Sequence, residues 1–172
     1  YKYGFSPNFS GQGPDGDAKA LNVIRKKYYT DNGDKGNVRS DATRTVFNLR
    51  AMGIKVGIVS AEIESTIFEK LNSSELRGLF DRRFITTQVW SDKGPALLEM
   101  CKKLGINPNS TAYVDDTVDG TGSAGKVGLV PIGFGNETGY NSEDRLRLVT
   151  PFVINELSEL LELVLTFDQA RG

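Results

Sequence analysis

Residues 111–119 read TAYVDDTVD, an apolar run that stops at two adjacent carboxylates, Asp115 and Asp116, with a third acid, Asp119, soon after. That is the pattern of a buried strand whose carboxyl end meets solvent. Small residues follow from Gly120 to Gly128 and suit a short, closely packed helix, after which KVGLVPIGF reads as a second strand. Strand, short helix and strand in succession predict a βαβ unit, and therefore a largely parallel sheet.

Working outward toward the N-terminus, the same alternation continues. Ser91 or Asp92 is placed to cap a helix that runs through Leu104 and stops at Gly105, with Leu97, Leu98, Cys101 and Leu104 at core spacing. FITTQVW (84–90) reads as a strand, SSELRGLF (73–80) as a short turn of helix and residues 62–71 as a helix. IKVGIVS (54–60) is a β-branched run ending in Ser60, preceded by a helix that Ser40 or Asp41 caps and Gly53 ends. Toward the C-terminus, residues 150–154 are the last strand and Asn155 is placed to cap ELSELLELVLTF. Residues 1–37 differ: an irregular lead-in to about residue 16, a helical pattern from Asp17, then the turn chemistry of TDNGDKGN (30–37). The expected organisation is thus an N-terminal appendage, 1–37, and an α/β unit, 38–172.

Composition narrows the chemistry. The chain has 172 residues, 21 basic and 22 acidic side chains, no histidine and one cysteine. Histidine-based triads, zinc ligands and proton shuttles are impossible within it, as is an internal disulfide. Near-zero net charge gives no general pull toward nucleic acid or an anionic membrane. No apolar stretch approaches the roughly 18 residues of a membrane-spanning helix, and no signal-peptide pattern opens the chain, so a cytoplasmic setting is expected. A start at Tyr1 rather than methionine is read as a piece, a processed product or a trimmed form of a longer chain.

In open parallel sheets ligands bind outside the carboxyl ends of the strands. The residues expected there are Ser60, then Asp92 and Lys93, then Asp115, Asp116 and Asp119. Adjacent carboxylates repel unless a cation or proton offsets their charge. Oxygen-only ligands suit Mg²⁺, and a hydroxyl with an ammonium suits the remaining oxygens of a phosphate. Plainer readings stand beside these: Ser60 as a strand-end or capping serine, Lys93 as a solvated helix-start lysine, Asp115 and Asp116 as a capping pair. GTGSAG (120–125) lacks the spacing of a dinucleotide or Walker loop. Phe84 and Trp90 read as core, and Asp15 with Asp17 as loop acids, since no apolar strand precedes them.

Taken in order, these residues resemble the haloacid dehalogenase superfamily of phosphatases and phosphotransferases. VGIVSA, with Ser60, is similar to the second of its four motifs, SDKGPALLEMCKKLGI, with Lys93, to the third, and TAYVDDTVD to the fourth. KVGLVPIGFGNETGYNSEDRL and TPFVINELSELLEL resemble the later strands and final helix of phosphoglycolate phosphatase-like members. The resemblance implies a Rossmann-like, three-layer parallel sheet and a Mg²⁺-dependent phosphatase of a small phosphorylated metabolite, with no nucleic acid or membrane partner. It also implies Ser60, Ala61 and Lys93 on the substrate, Ser60 and Lys93 in catalysis, and Asp115, Asp116 and Asp119 at the metal.

The first motif of that family, an apolar strand ending in D-x-D-G, is absent from the 172 residues. The resemblance therefore implies a nucleophilic Asp upstream, on a first central strand that this chain lacks, with residues 1–37 as the remnant of a cap. The alternative is a catalytically inactive relative that binds phosphate and metal or another protein. A phosphoacceptor receiver domain would carry its acids on the first strand and its lysine near the end, the reverse of the order here.

Overall fold

The computed structural model describes residues 38–135 and 142–169. The expected lead-in, the helix from Asp17, the 30–37 turn and the Asp15/Asp17 pair all lie outside the described residues. In chain order the elements are α1 (Ala42–Ala51), β1 (Ile58–Val59), α2 (Glu64–Asn72), a 3₁₀ turn (Arg82–Phe84), β2 (Ile85–Thr86) and α3 (Gly94–Leu104). A second 3₁₀ turn (Pro108–Ser110), β3 (Ala112–Asp115), α4 (Val118–Lys126), β4 (Val130–Phe134), α5 (Glu143–Leu146), β5 (Val153–Ile154) and α6 (Glu159–Gln169) complete them.

Every strand pair is parallel, as the alternation predicts. β3 pairs with β4 from Ala112↔Val130 to Asp115↔Gly133, β4 with β5 through Gly133↔Val153 and Phe134↔Ile154, and β1 with β2 through Ile58↔Ile85 and Val59↔Thr86. The ladder is interrupted, however: among the described residues β1–β2 and β3–β4–β5 form separate sheets. A side chain links them, since the Tyr113 hydroxyl lies 3.1 Å from the Val59 carbonyl oxygen.

The two faces are covered by different helices. Ile58 turns into a cluster with Ala42 of α1, Leu71 of α2 and Leu76. Its neighbour Val59 turns into the opposite cluster, with Leu97, Met100, Cys101 and Leu104 of α3 and Ala124 of α4. Alternation along one short strand thus feeds two cores, the three-layer arrangement expected of a parallel sheet.

Several sequence expectations are corrected in detail. The strands expected over 54–60 and 84–90 are each cut to two paired residues. β2 is the ladder partner of β1 among the described residues, and beyond Thr86 the backbone leaves the strand, with Gln88 at φ +60°. Leu98 is 41% exposed, whereas Met100 is 5% exposed. From Leu97 the inward stripe continues at 100, 101 and 104, and position 98 lies about 100° around the helix from it. Residues 73–80 form successive turns rather than helix, closed by Arg77 N to Ser74 O and Leu79 N to Leu76 O. Asn155 does not cap the last helix; α6 begins at Glu159, whose Oε1 accepts from the backbone N–H groups of Asn155 and Glu156 at 2.8 and 2.7 Å. Asp41 stands at the N-cap position of α1 without bonding that helix's amides. Its carboxylate accepts instead from Arg39 and from Leu157 N, fastening α1 to the segment after β5.

Candidate active site

Ser60 follows β1 directly and is held by main-chain bonds on both sides. Its N–H donates to Thr86 O at 2.9 Å and its C=O accepts from Val89 N at 3.0 Å. The Ser60 hydroxyl oxygen accepts from Glu62 N at 3.0 Å, so the plain reading of Ser60 as a local turn-former holds. That bond uses a lone pair and leaves the hydroxyl proton to donate. Ala61, next in the chain, is half-buried. Gln88 N donates to Glu62 O at 3.0 Å, which closes the loop after β1 onto the loop after β2. The price of that closure is the left-handed backbone of Gln88, the one non-glycine residue with positive φ among those described.

Lys93 is not a solvated helix-start lysine. It occupies the N-cap position of α3, and its Nζ lies 2.5 Å from Asp115 Oδ2, with side-chain exposures of 15% and 5%. Asp115 ends β3, and four donors converge on it. Oδ2 accepts from Lys93 and faces the Tyr113 hydroxyl at 2.8 Å; Oδ1 accepts from Thr117 N at 2.8 Å and Thr117 Oγ1 at 2.6 Å. Burial alone would raise the Asp115 carboxyl, but Lys93, Thr117 and Tyr113 together hold it below its usual range. The Tyr113 phenol is pushed well up, first by burial and then by the Asp115 charge. It has one proton for two acceptors, Val59 O and Asp115 Oδ2, and the charged oxygen is the stronger.

The local sequence explains this geometry. Thr117 caps α4 by accepting from Gly120 N at 3.0 Å while donating to Asp115. Gly120 lets the carboxylate lie against the first turn, because a Cβ there would stand 2.5 Å from both Asp115 oxygens. Asp116 and Asp119 are exposed, the first just beyond β3 and the second in the first turn of α4. The structure therefore joins Lys93 to Asp115, which is buried where the other two acids are exposed. Among the described residues no group of three or more acids or cysteines comes together so as to hold a metal ion.

Tyr113, Thr117, Gly120 and Gln88 are site residues that the sequence reading left out. Tyr113 had a signal, since two residues before Asp115 on a strand means the same face. So did Thr117, a threonine at the start of a small-residue helix. Gln88 had none.

In open parallel α/β sheets the strands' carboxyl ends are where ligands bind, and these polar residues gather at that edge. The sequence profile of the haloacid dehalogenase-like hydrolases matches residues 9–133; the chain belongs to that family. It is 28% identical over 128 residues to the glyceraldehyde 3-phosphate phosphatase of Methanopyrus kandleri, covering 72% of this chain and 55% of that one. The chain thus spans little more than half the length of this relative. Its fold is similar to that of a HAD hydrolase, family IA, variant 3, from Entamoeba histolytica, with a TM-score of 0.71 at 22% identity over 87% of this chain and 70% of that chain. A HAD family hydrolase from Deinococcus radiodurans, solved with bound phosphate and sodium, gives 0.65 at 21% identity over 88% and 75%. No helix among the described residues is long and apolar enough to cross a membrane.

Proposed function

We propose that this chain is the phosphate-binding part of a Mg²⁺-dependent phosphatase acting on a small phosphorylated metabolite in the cytoplasm. The observation that carries the reading is the pairing of Lys93 with Asp115 at the end of β3, on the sheet edge where Ser60 keeps a hydroxyl proton to donate. Membership in a hydrolase family and similarity to a protein named as a phosphatase support it. In this reading residues 1–37 are the remnant of a cap and 38–172 the α/β unit.

In the proposed reaction an aspartate carried on a segment outside these 172 residues attacks phosphorus, the P–O ester bond breaks and the leaving alkoxide takes a proton from water, and a second water then cleaves the aspartyl-phosphate to release phosphate. Ser60 orients one phosphoryl oxygen through its O–H, beside the backbone of Ala61. Lys93 offsets charge on the phosphoryl group as a point charge, held in place by Asp115. The hard oxygen donors suited to Mg²⁺ are the carboxylates of Asp115, Asp116 and Asp119, of which Asp115 also accepts from four protein donors. Bound there with waters and the substrate phosphate completing its ligands, the metal would supply neutralisation of phosphoryl charge.

The test joins this chain to its upstream coding sequence and assays small phosphate monoesters with and without Mg²⁺. Expected are metal-dependent release of phosphate and its loss in Lys93→Ala with the fold retained. Near-normal turnover in that variant refutes the assignment. Saturable phosphate binding without hydrolysis supports the second reading, a phosphate-binding relative without catalysis.

A further inference from the structure

A lysine at a helix start has a long, flexible stem, so something must fix where its backbone leaves the helix. Lys93 does not cap α3 with its own side chain, nor could its ammonium accept from an amide. The capping acceptor is its neighbour: Asp92 Oδ1 accepts from Gly94 N at 3.0 Å. The backbone N–H of Gly94, then Ser123 and Lys126 of α4, favour the ionised form of Asp92 and hold its carboxyl below the usual range. On the other side of Lys93, Gly94 is buried, and a Cβ there would stand 2.9 Å from Val127 Cγ1, at the end of α4. The residue after the lysine is therefore seated against the end of α4, and the residue before it holds that neighbour's amide. Asp115, the partner of its ammonium, is seated on that helix too, through Thr117.

We propose that Asp92 is a positioning residue: by capping Gly94 N at the start of α3, with Gly94 pressed against Val127 at the end of α4, it sets the Lys93 ammonium over Asp115. Lysine and carboxylate are then registered against one rigid element as well as bonded to each other, and Asp92 acts with no contact to the ligand. The proposal rests on the reading of Lys93 as the phosphate-facing group.

The test is amine acylation of the folded 172-residue chain, read at Lys93 by peptide mass spectrometry and normalised to the exposed Lys102 and Lys103 in the same sample. Asp115→Asn, which removes the partner charge, calibrates the rate of a released Lys93. Expected are several-fold faster labelling of Lys93 in Asp92→Ala and in Gly94→Ala. Asp92→Asn, which keeps an acceptor for Gly94 N but only one carbonyl oxygen, should fall between wild type and Asp92→Ala. A wild-type rate in Asp92→Ala, with Asp115→Asn fast, overturns the proposal, as does a slow rate in both. A parallel run with inorganic phosphate separates the two readings. If phosphate fails to protect wild-type Lys93 while the Asp92 dependence persists, the phosphate reading falls and the seat stands.

Discussion

Replacing Lys93 with methionine keeps most of the stem's volume and removes the charge, leaving Asp115 with its side chain 5% exposed and no cation beside it. Breaking a buried ion pair from one side costs about 3–5 kcal/mol. Tyr113 and the two Thr117 donors remain on the carboxylate, which places the expected loss near the lower end, about 3 kcal/mol at neutral pH. In a domain of this size that is a fall in Tm of about 6–12 °C. The pH dependence carries the sharper test. In the wild type the Asp115 carboxyl is lowered, so its contribution to stability is present above the unfolded value and lost as pH falls through the folded one. Without Lys93, burial is opposed by fewer groups and the carboxyl rises, so the variant recovers stability as the side chain takes a proton on acidification. Urea unfolding of both proteins at about pH 7 and about pH 4.5 should show the gap between them shrink, since ordinary carboxyls titrate near 3.9. A loss below about 1 kcal/mol, or a gap that does not change with pH, refutes the buried-pair argument.

Gly120→Ala puts a methyl group against both Asp115 oxygens; it should cost about 1–3 kcal/mol in urea melts and speed acylation of Lys93. Thr117→Val removes a helix cap and a donor to a carboxylate at once, for an expected loss of about 2 kcal/mol by the same measurement. Gln88→Gly relieves the left-handed backbone and should leave stability unchanged or raise it by up to about 1 kcal/mol, where Gln88→Val should lower it. The Asp81 carboxyl, held at about 2 by the Arg83 side chain and then its backbone N–H, should titrate there by carbon NMR. It should move toward its ordinary range in Arg83→Gln, and its contribution to stability is lost as pH falls through about 2.

Helix boundaries were the most legible part of the fold because their causes are local. Asp92 before α3, Gly105 after it at φ +65° and the inward stripe of Leu97, Cys101 and Leu104 are all written within one stretch of chain. Strand lengths were not legible, since how far 54–60 and 84–90 pair depends on what lies beside them, and β1 among the described residues has one ladder neighbour. The order Ser60, Lys93, acidic cluster was readable, and so was their common location at the carboxyl ends of strands. Which acid does what was not. Asp115 and Asp116 are identical in type and adjacent, and only the parity of β3, which puts Asp115 on the side of Tyr113 and Lys93, divides them. The bond between Lys93 and Asp115 spans 22 residues and exists because α3 and α4 lie side by side, a packing fact rather than a pattern.

The interrupted ladder has a consequence for motion. Hydrogen-bonded strands tend to open as units, so native-state hydrogen exchange should resolve two: β1 with β2, and β3 with β4 and β5. Ser60 belongs to the first and Asp115 to the second, and the Tyr113 hydroxyl, 3.1 Å from Val59 O, stands between them. A ligand that touches both Ser60 and Lys93 would bridge this seam. Its binding energy would go into slowing the exchange of both units together, so that occupancy could be read from amide protection alone, far from the bound molecule.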